Sequence, residues 1–160
     1  MKAARITHGF QEKNRAEIER LLREYEAHLG VSLCFQAFDD ELAALPGFYV
    51  PPRGAFLTGW DEVSGQLVGS VALKPTPDDE ATCEMKRLYV RPVARGTGLG
   101  RRLAEAITTE ALRIGYRRMV LDTLPWLTDA QTLYLSMGFR QTGISGSSPQ
   151  VFLFERDLTA

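Results

Sequence analysis

Apolar residues recur every three or four positions in two parts of the chain, a spacing typical of amphipathic helices. The first part runs from Asn14 to Gly30, where Asn14 and Glu17 fit a capping pair and Gly30 is a good stop. The second part follows a group of glycines and ends at Gly115. The apolar positions are Ile18, Leu21, Leu22, Tyr25 and Leu29 in the first helix, and Leu99, Leu103, Ile107, Ala111 and Ile114 in the second. Shorter helices are predicted over residues 35–44 and 127–137.

Short apolar, β-branched or aromatic runs between turn residues predict the strands of a sheet. They cover residues 3–7, 54–60, 67–73, 83–90, 119–121 and 151–158. The segment 45–53 is predicted to be a proline-rich loop, and residues 75–80 a polar connection. The strand, helix and strand that follow one another from residue 83 to 121 imply a right-handed parallel crossover. The sequence therefore predicts an α+β fold with a mixed, mostly antiparallel central sheet flanked by helices.

The composition is that of an ordinary globular protein, with 44% hydrophobic and 24% charged residues. The length suits a single domain over residues 1–160 with its own hydrophobic core. The formal net charge of −1 provides no general attraction to nucleic acid or to an anionic membrane. We therefore expect neither as a partner, and a local cluster of groups must bind any polyanion.

Cysteine and histidine usage argues against a disulfide framework and against structural zinc. Cys34 and Cys83 form no Cys-x-x-Cys pair, and His8 and His28 lack the spacing of metal ligands. No metal is therefore expected. The N-terminus does not resemble a signal peptide, and no run approaches the roughly 18 apolar residues of a membrane helix. These features predict a protein of the cytoplasm.

The strongest chemical signal is a glycine-rich turn between a strand and a helix. Its glycines lack Cβ atoms where the chain enters the helix, so a ligand can approach the backbone closely: Gly96, Gly98 and Gly100. The first N–H groups of a helix have no internal partner and favour an anion such as phosphate. Arg95, Arg101 and Arg102 crowd this start, where a cation costs about 0.3–1 kcal/mol unless an anion is bound. The alternative is a solvated basic turn in which the glycines serve only the chain geometry.

Two common nucleotide motifs do not fit these glycines. A Walker loop needs Gly-x-x-x-x-Gly-Lys-Ser/Thr, which is absent from the chain. A dinucleotide fingerprint needs a third glycine where Arg101 or Leu103 stands. Asp122 loosely mimics the acidic ribose ligand of that fold, but too few residues follow it to complete a doubly wound domain.

Three blocks of residues between 83 and 140 match a known pattern in order and spacing. The run 95–100, Arg-Gly-Thr-Gly-Leu-Gly, fits Gln/Arg-x-x-Gly-x-Gly/Ala. The strand 84–90, followed by Arg91 and Pro92, matches a coenzyme-binding strand. The run 130–139, Ala-x-x-Leu-Tyr-x-x-Met-Gly-Phe, matches a later helix and its turn into a strand. Together the three blocks resemble the GNAT superfamily of N-acetyltransferases.

The resemblance implies a sheet splayed between its fourth and fifth strands, with acetyl-CoA bound in the split as a cosubstrate and no metal. Main-chain groups of Leu88, Tyr89 and Val90 would pair with the pantetheine arm as an added strand does. The pyrophosphate would be held by the glycine-rich turn, through Arg95, Gly96, Thr97, Gly98, Leu99, Gly100 and Arg101.

The resemblance also implies a reaction, in which a primary amine of a small, amino-acid-like acceptor attacks the thioester directly. Many members of the family are dimers, so a homodimer is compatible with the resemblance. A different function would keep the glycine-rich turn without any catalysis: a sensor module that binds acyl-CoA.

Two catalytic residues follow from the resemblance. Tyr134 stands where many members carry a tyrosine near the coenzyme sulfur, and it is the candidate general acid; its alternative role is core packing. Glu84 stands where some members place a catalytic glutamate, and it is the candidate base; its alternative is an ion pair with Lys86 or Arg87. An ordinary glutamate is a poor base for an ammonium, because their pKa values are about 4.3 and about 10.4.

Three further residues have a chemical and a structural interpretation. Cys83 could carry the acetyl group as a thioester, but without a neighbouring histidine it is more typical of a small buried residue. Asp122 and Thr123 end a strand, and they either shape the acceptor site or only mark the exit of the strand.

The surroundings of the later helix depart from the family pattern at one position. Leu127 lies where many members have an asparagine, so Thr128 or Asp129 is expected to cap this helix. The loop 45–53 is expected to form a lip over the acceptor, and the loop 145–149 to line its pocket or to be an ordinary loop. The side chains expected in the lip are Phe48, Tyr49 and Arg53.

Overall fold

A seven-stranded sheet runs through the chain. The structure is a computed structural model that describes residues 4–33 and 37–158. The strands are β1 Arg5–His8, β2 Ala55–Trp60, β3 Leu67–Thr76, β4 Asp79–Val90, β5 Arg118–Thr123, β6 Arg140–Ser145 and β7 Val151–Asp157. Their order in the sheet is β1-β2-β3-β4-β5-β7-β6, and all neighbours are antiparallel except β4 and β5. The predicted mixed, mostly antiparallel sheet is confirmed, while a single domain over residues 1–160 stays a prediction.

In the described part of the chain, four α-helices pack against this sheet. They are α1 Arg15–Leu29, α2 Phe38–Ala43, α3 Leu99–Ile114 and α4 Thr128–Ser136. Buried residues of α3 and α4 belong to one hydrophobic cluster, and those of α1 and α2 to another. Neighbouring residues of β2 divide between the clusters, since Leu57 packs with the first and Phe56 with the second. Because successive side chains of a strand point to opposite faces, the two clusters cover opposite faces of the sheet.

The two amphipathic helices and their stops at Gly30 and Gly115 are confirmed, but the predicted side-chain caps at the helix starts are wrong. Both α1 and α3 end at a left-handed glycine, Gly30 at φ 77° and Gly115 at φ 112°. The side chain of Asn14 makes no cap hydrogen bond, and a 3-10 turn over Glu12–Asn14 leads into α1 instead. Leu127 is the N-cap residue of α4, and neither Thr128 nor Asp129 caps that helix with its side chain.

The strand bounds differ from the prediction in two places. β3 and β4 extend into the expected polar connection, where the Thr76 hydroxyl donates to the carbonyls of Asp79 and Thr82 at 3.1 and 3.0 Å. These bonds stabilise a tight hairpin. The sequence does not predict the bounds of β6. This edge strand is almost fully exposed, so its sequence shows no alternation of apolar and polar positions. The predicted helix over 35–44 is shortened to α2, and residues 35 and 36 lie outside the described residues.

β4 and β5 separate soon after they meet. Their parallel pairing comprises Thr82–Arg118, Cys83–Met119 and Glu84–Val120, and it ends there although both strands continue. On its other side β4 carries a bulge, because Ser70 pairs with Tyr89 while Ala72 pairs with Lys86. The sheet is therefore open between residues 85–90 of β4 and the end of β5. The predicted splay between the fourth and fifth strands is confirmed.

Candidate active site

The glycine-rich turn adopts a conformation that favours glycine. Gly96 and Gly98 have φ values of 76° and 84°, in the left-handed region where a Cβ atom is unfavourable by roughly 1–2 kcal/mol. A Cβ atom built on either residue would meet no atom within 4 Å, so the space beside them is open. The backbone conformation, and not crowding, therefore requires these glycines, and the turn exposes its main chain on that side.

The start of α3 presents a series of unused amides. The N–H of Arg102 donates to the Gly98 carbonyl at 3.0 Å and is the first of this helix to reach a backbone acceptor. Within residues 4–33 and 37–158, the N–H groups of residues 96–101 have no hydrogen-bond acceptor. Such a row of donors at a helix start suits an anion.

The three arginines near this turn have different partners. Arg95 donates from Nε to the Val90 carbonyl at 3.0 Å, and its guanidinium lies 5.7 Å from the centre of the Tyr89 ring. Arg101 instead donates to the Ser136 hydroxyl at 2.6 Å, and Arg102 donates to the Ala4 carbonyl at 2.8 Å. Of the three, only Arg95 lines the cavity beside the turn. The crowding of three cations, which the sequence predicts, is therefore relieved in part by tertiary contacts.

This glycine-loop cavity has a volume of about 490 Å³, within the size range of small-molecule sites. Its walls bring together most of the predicted coenzyme residues: Leu88, Tyr89, Val90, Arg95, Gly96, Gly98, Leu99, Gly100 and the candidate acid Tyr134. Two predicted residues do not line it. The hydroxyl of Thr97 donates to the Ala94 carbonyl at 2.6 Å, and Arg101 is directed toward Ser136.

Several lining residues come from elements that the sequence motifs do not cover. Tyr25 and His28 of α1 lie on one wall, and Trp126 lies on another, donating from Nε1 to the Leu29 carbonyl at 3.0 Å. Burial and the nearby charge of Arg95 lower the pKa of His28. Tyr25 and His28 are three positions apart and so share one face of α1. Two aromatic residues with polar atoms on a mostly apolar face are the signal that sequence analysis passed over.

A second, inner cavity of about 70 Å³ lies where the sheet opens. Residues of both diverging strands line it, including Leu88 of β4 and Asp122 of β5. Tyr134 lines both this cavity and the glycine-loop cavity. Its side chain is 7% exposed, and its ring packs 5.8 and 6.2 Å from the rings of Phe139 and Phe154. The ring of Tyr134 therefore belongs to the core while the residue borders both cavities, and its role as the general acid stays a prediction.

The environment of Tyr134 keeps its hydroxyl protonated. Burial raises the pKa of Tyr134, and the negative potential of Tyr25 and Asp122 raises it further. A phenol of this kind is a proton donor at neutral pH and does not ionise there.

A third, outer cavity of about 420 Å³ continues from the inner one, with which it shares Lys86, Arg87, Asp122 and Val151. Glu41 and Lys74 complete its charged lining, and Ser145, Gly146 and Pro149 line it from the loop before β7. The loop 145–149 is thus brought to the cleft, as one of its two interpretations requires. Among the residues that the structure describes, this outer cavity and the glycine-loop cavity share no lining residue.

Arg87 lies at the bulge of β4 and is almost fully buried. It has a φ of 60°, its carbonyl accepts from the Ser70 hydroxyl at 2.9 Å, and its side chain is bidentate to Glu41, with both bonds at 2.8 Å. Burial opposes the charge of Arg87, but the hydrogen bonds and charge of Glu41 prevail and raise the pKa. Removing one partner of such a pair leaves a buried charge uncompensated, which is strongly unfavourable.

Glu84 lies in an ion-pair cluster beside the outer cavity. Its carboxylate is 3.9 Å from the Lys74 ammonium and 3.7 Å from the Lys86 ammonium. It does not line any of the three cavities. Of the two ion-pair partners considered from sequence, Lys86 is present and Arg87 is engaged by Glu41 instead.

The loop 45–53, which is expected to form a lip over the acceptor, lines none of the three cavities, and its role at the acceptor stays a prediction. Tyr49 is 4% exposed and packs in the core with its ring centre 6.1 Å from that of Phe56. Arg53 lies over the ring of Tyr116 at 4.3 Å and donates to the Glu80 carbonyl. Phe48 is exposed, and none of the three lip residues lines a cavity described above. The proline-rich segment packs against the sheet because its apolar side chains bury surface there.

Comparisons with known proteins agree with this fold and site. The model of the Acetyltransferase (GNAT) family matches residues 10–139. An uncharacterised N-acetyltransferase of Schizosaccharomyces pombe is 44% identical over 126 residues, which cover 79% of this chain and 76% of that protein. The N-acetylaspartate synthetase of Danio rerio is 33% identical over 108 residues, which cover 67% of this chain and 37% of that protein. A GNAT-family acetyltransferase of Staphylococcus aureus has a similar structure, with a TM-score of 0.81 at 16% identity, over 97% of this chain and 100% of that one.

These matches define an acyltransferase of the kind that generally uses acetyl-CoA as the acyl donor. The chain belongs to the acetyltransferase (GNAT) family. The prediction of an acyltransferase enzyme is confirmed. Within residues 4–33 and 37–158, no helix has both the length and the apolar character needed to cross a bilayer, and no three His, Cys, Asp or Glu side chains are grouped as a metal site requires. The cellular compartment and a homodimer stay predictions.

The burial of Cys83 can be tested directly, because a buried thiol does not react with reagents in solution. It is fully buried in β4, and burial raises its pKa to about 12. In a Cys34→Ser variant we expect no reaction of the native protein with a thiol reagent such as DTNB at pH 8, and reaction of one thiol after denaturation in urea. Rapid labelling of the native variant would contradict this burial and would support the alternative in which Cys83 carries the acetyl group as a thioester.

Proposed function

We propose that this enzyme transfers the acetyl group of acetyl-CoA to the primary amine of a small, amino-acid-like molecule, by direct attack of the amine on the thioester. The observation that carries the proposal is the position of Tyr134, which borders the glycine-loop cavity on one side and the cavity between the parted strands on the other. A proton donor at this boundary suits a reaction between two ligands that occupy different cavities.

The glycine-loop cavity fits the acyl donor. The N–H groups of residues 96–101 would hold the pyrophosphate together with Arg95, whose guanidinium is oriented by the Val90 carbonyl and the Tyr89 ring. Residues 88–90 lie beyond the last paired position of β4 and β5, so their main chain faces the opening. An extended pantetheine arm can pair there as an added strand. Thr97 and Arg101 would support this turn from outside the cavity.

The chain's own groups meet the needs of the transfer step. Acetyl-CoA supplies a thioester; a C–N bond to the acceptor forms, the C–S bond breaks, and the nitrogen loses a proton while the sulfur gains one. Tyr134 would give its hydroxyl proton to the departing sulfur and recover one from water after the amine has lost its own to solvent. The amide of Leu88 would stabilise the carbonyl oxygen as negative charge develops there.

Glu84 enters this proposal in the second of its two roles, as a structural ion-pair partner. Its carboxylate lies 3.9 Å from the Lys74 ammonium and 3.7 Å from the Lys86 ammonium, so two ion pairs account for its position. Its position outside the cavities supports the same assignment.

The acceptor class has two lines of support. The outer cavity is lined by charged side chains, which suits a small polar molecule better than an apolar one. The Danio rerio relative is named for the synthesis of N-acetylaspartate, so one related protein acts on an amino acid. A sensor module would need neither a proton donor at the boundary nor a second, charged cavity, and these features favour the enzyme.

The proposal is tested by offering the purified protein acetyl-CoA with a broad panel of primary amines and measuring release of the CoA thiol. We expect thiol release that depends on particular small amines, with the N-acetyl product identified by mass spectrometry. Binding of CoA without turnover of any amine in the panel would overturn the proposal in favour of a sensor.

Arg95→Ala should weaken CoA binding by about tenfold or more, because a charge-assisted bond to phosphate is lost. Arg113→Ala is the matched control, since Arg113 lies at the far end of the same helix and, among the described residues, pairs with Glu110 alone. Calorimetric titration with CoA measures both effects. Wild-type affinity in the Arg95 variant would exclude its role at the pyrophosphate.

Tyr134→Phe should lower kcat by about 10²–10⁴-fold and leave CoA affinity nearly unchanged, because it removes the proton donor but keeps the packed ring. Tyr116→Phe is the control: its hydroxyl donates to the Arg53 carbonyl at 2.6 Å, and Tyr116 lines none of the three cavities. Steady-state kinetics should show normal kcat for the Tyr116 variant. Equal kcat values for the two variants would remove Tyr134 from the mechanism.

A further inference from the structure

The outer cavity carries charges of opposite sign on different strands. Lys74, Lys86 and Arg87 line it from β3 and β4, and Asp122 lines it from β5. Since β4 and β5 part at this level, the positive and negative groups belong to the two sides of the opening. A ligand in the cavity therefore meets cations on one side and a carboxylate on the other.

The positive side keeps an excess of one charge after its internal ion pairs are counted. Glu41 binds Arg87 through two hydrogen bonds of 2.8 Å and balances that guanidinium. Glu84 lies between Lys74 and Lys86, so that one carboxylate serves two ammonium groups. Three cations and two carboxylates leave a net charge of +1 on this side among the described residues.

The negative side consists of a carboxylate that the protein does not neutralise. Among residues 4–33 and 37–158, no lysine, arginine or histidine nitrogen lies within 4.0 Å of Asp122. Asp122 is half-buried and lines both the inner and the outer cavity. Its charge also acts on Tyr134, whose pKa it helps to raise, so Asp122 lies on the side of the cleft nearest the proposed proton donor.

We infer that the acceptor is a zwitterion, a primary amine that carries a carboxylate, and that Asp122 binds its ammonium end while Lys86 and Lys74 bind its carboxylate. This inference rests on the proposed function and specifies its substrate class. The orientation follows from the cavities, because the amine must reach the inner cavity bordered by Tyr134, and Lys74 lines only the outer one. Asp122 binds and orients the amine, and the proton that leaves the nitrogen passes to water.

The same charges disfavour other small amines. A polycationic acceptor would bring further positive charge against the side that already has an excess of it. A simple alkylamine would satisfy Asp122 but would bring no carboxylate to Lys74 and Lys86. An amino acid matches both sides, and hydrogen bonds to charged groups of this kind are worth roughly tenfold or more in affinity.

The inference is tested with matched acceptors that differ only in the carboxylate. Each amino acid of a panel is compared with its α-amide and with the amine obtained by decarboxylation, using thiol release from acetyl-CoA. We expect kcat/KM of the best amino acid to exceed that of its amide and of its amine by about tenfold or more. Amides or amines that react as well as the acids would overturn this inference and leave the acyltransfer proposal intact. Failure of every amine in the wider panel would overturn both.

Variants then test which side chain binds the carboxylate of the acceptor and which binds its ammonium group. Lys86→Met should raise KM for the amino acid by about tenfold and change kcat/KM of its amide little, since the amide lacks the charge that Lys86 binds. Asp122→Asn should lower kcat/KM of both, because both carry the ammonium. Lys13→Met is the control for loss of a lysine, since Lys13 is exposed in the 3-10 turn before α1.

Unchanged affinity for CoA and an unchanged melting temperature establish that each variant is folded. If Lys86→Met is unstable, Lys74→Met replaces it, because the Lys74 side chain is 31% exposed and also contacts Glu84. Equal losses for acid and amide in the lysine variant would overturn the carboxylate assignment. Normal kinetics of Asp122→Asn would overturn the ammonium assignment.

Discussion

The parting of β4 and β5 after Glu84 and Val120 is the constraint on which the rest of the structure depends. Backbone N–H and C=O groups need partners, so a sheet that opens must satisfy its freed groups elsewhere or expose them to a ligand. Here the two hydrophobic clusters keep the faces of the sheet covered while the middle is open. α1 and α4 contribute residues to the walls of the opening, so the gap is a lined cleft and not a defect in the core.

The Arg87–Glu41 pair is a buried, bidentate ion pair next to the opening. It joins the bulge of β4 to α2 through two hydrogen bonds, in a place where a non-glycine residue has positive φ. Buried ion pairs contribute little to net stability, but they penalise any arrangement that separates the partners. The pair thereby disfavours any arrangement of the β4 bulge that would separate Arg87 from Glu41.

Local features of this chain could be predicted from sequence, and long-range ones could not. The glycine-rich turn and α3 depend on residues close together, so Gly98 and Gly115 were sufficient to locate the helix. The partners of Arg101 and Arg102 lie far along the chain, at Ser136 and Ala4, and no spacing reveals them. The family resemblance placed Tyr134 in the cleft, but the walls that face it depend on how α1 packs over the sheet. The prediction for Asn14 is wrong although it used only neighbouring residues. The sequence fits a capping motif there, but a 3-10 turn over Glu12–Asn14 leads into the helix instead.

The absence of any shared lining residue between the glycine-loop cavity and the outer cavity has a kinetic consequence. Two reactants that bind in cavities with separate linings do not compete for one binding site. Neither product then has to leave before the other reactant binds. Cys83, which could have carried the acetyl group as a covalent thioester intermediate, is fully buried in β4. Under the proposed function, this separation predicts a ternary complex, in which both reactants are bound together and the acyl group passes between them in one step.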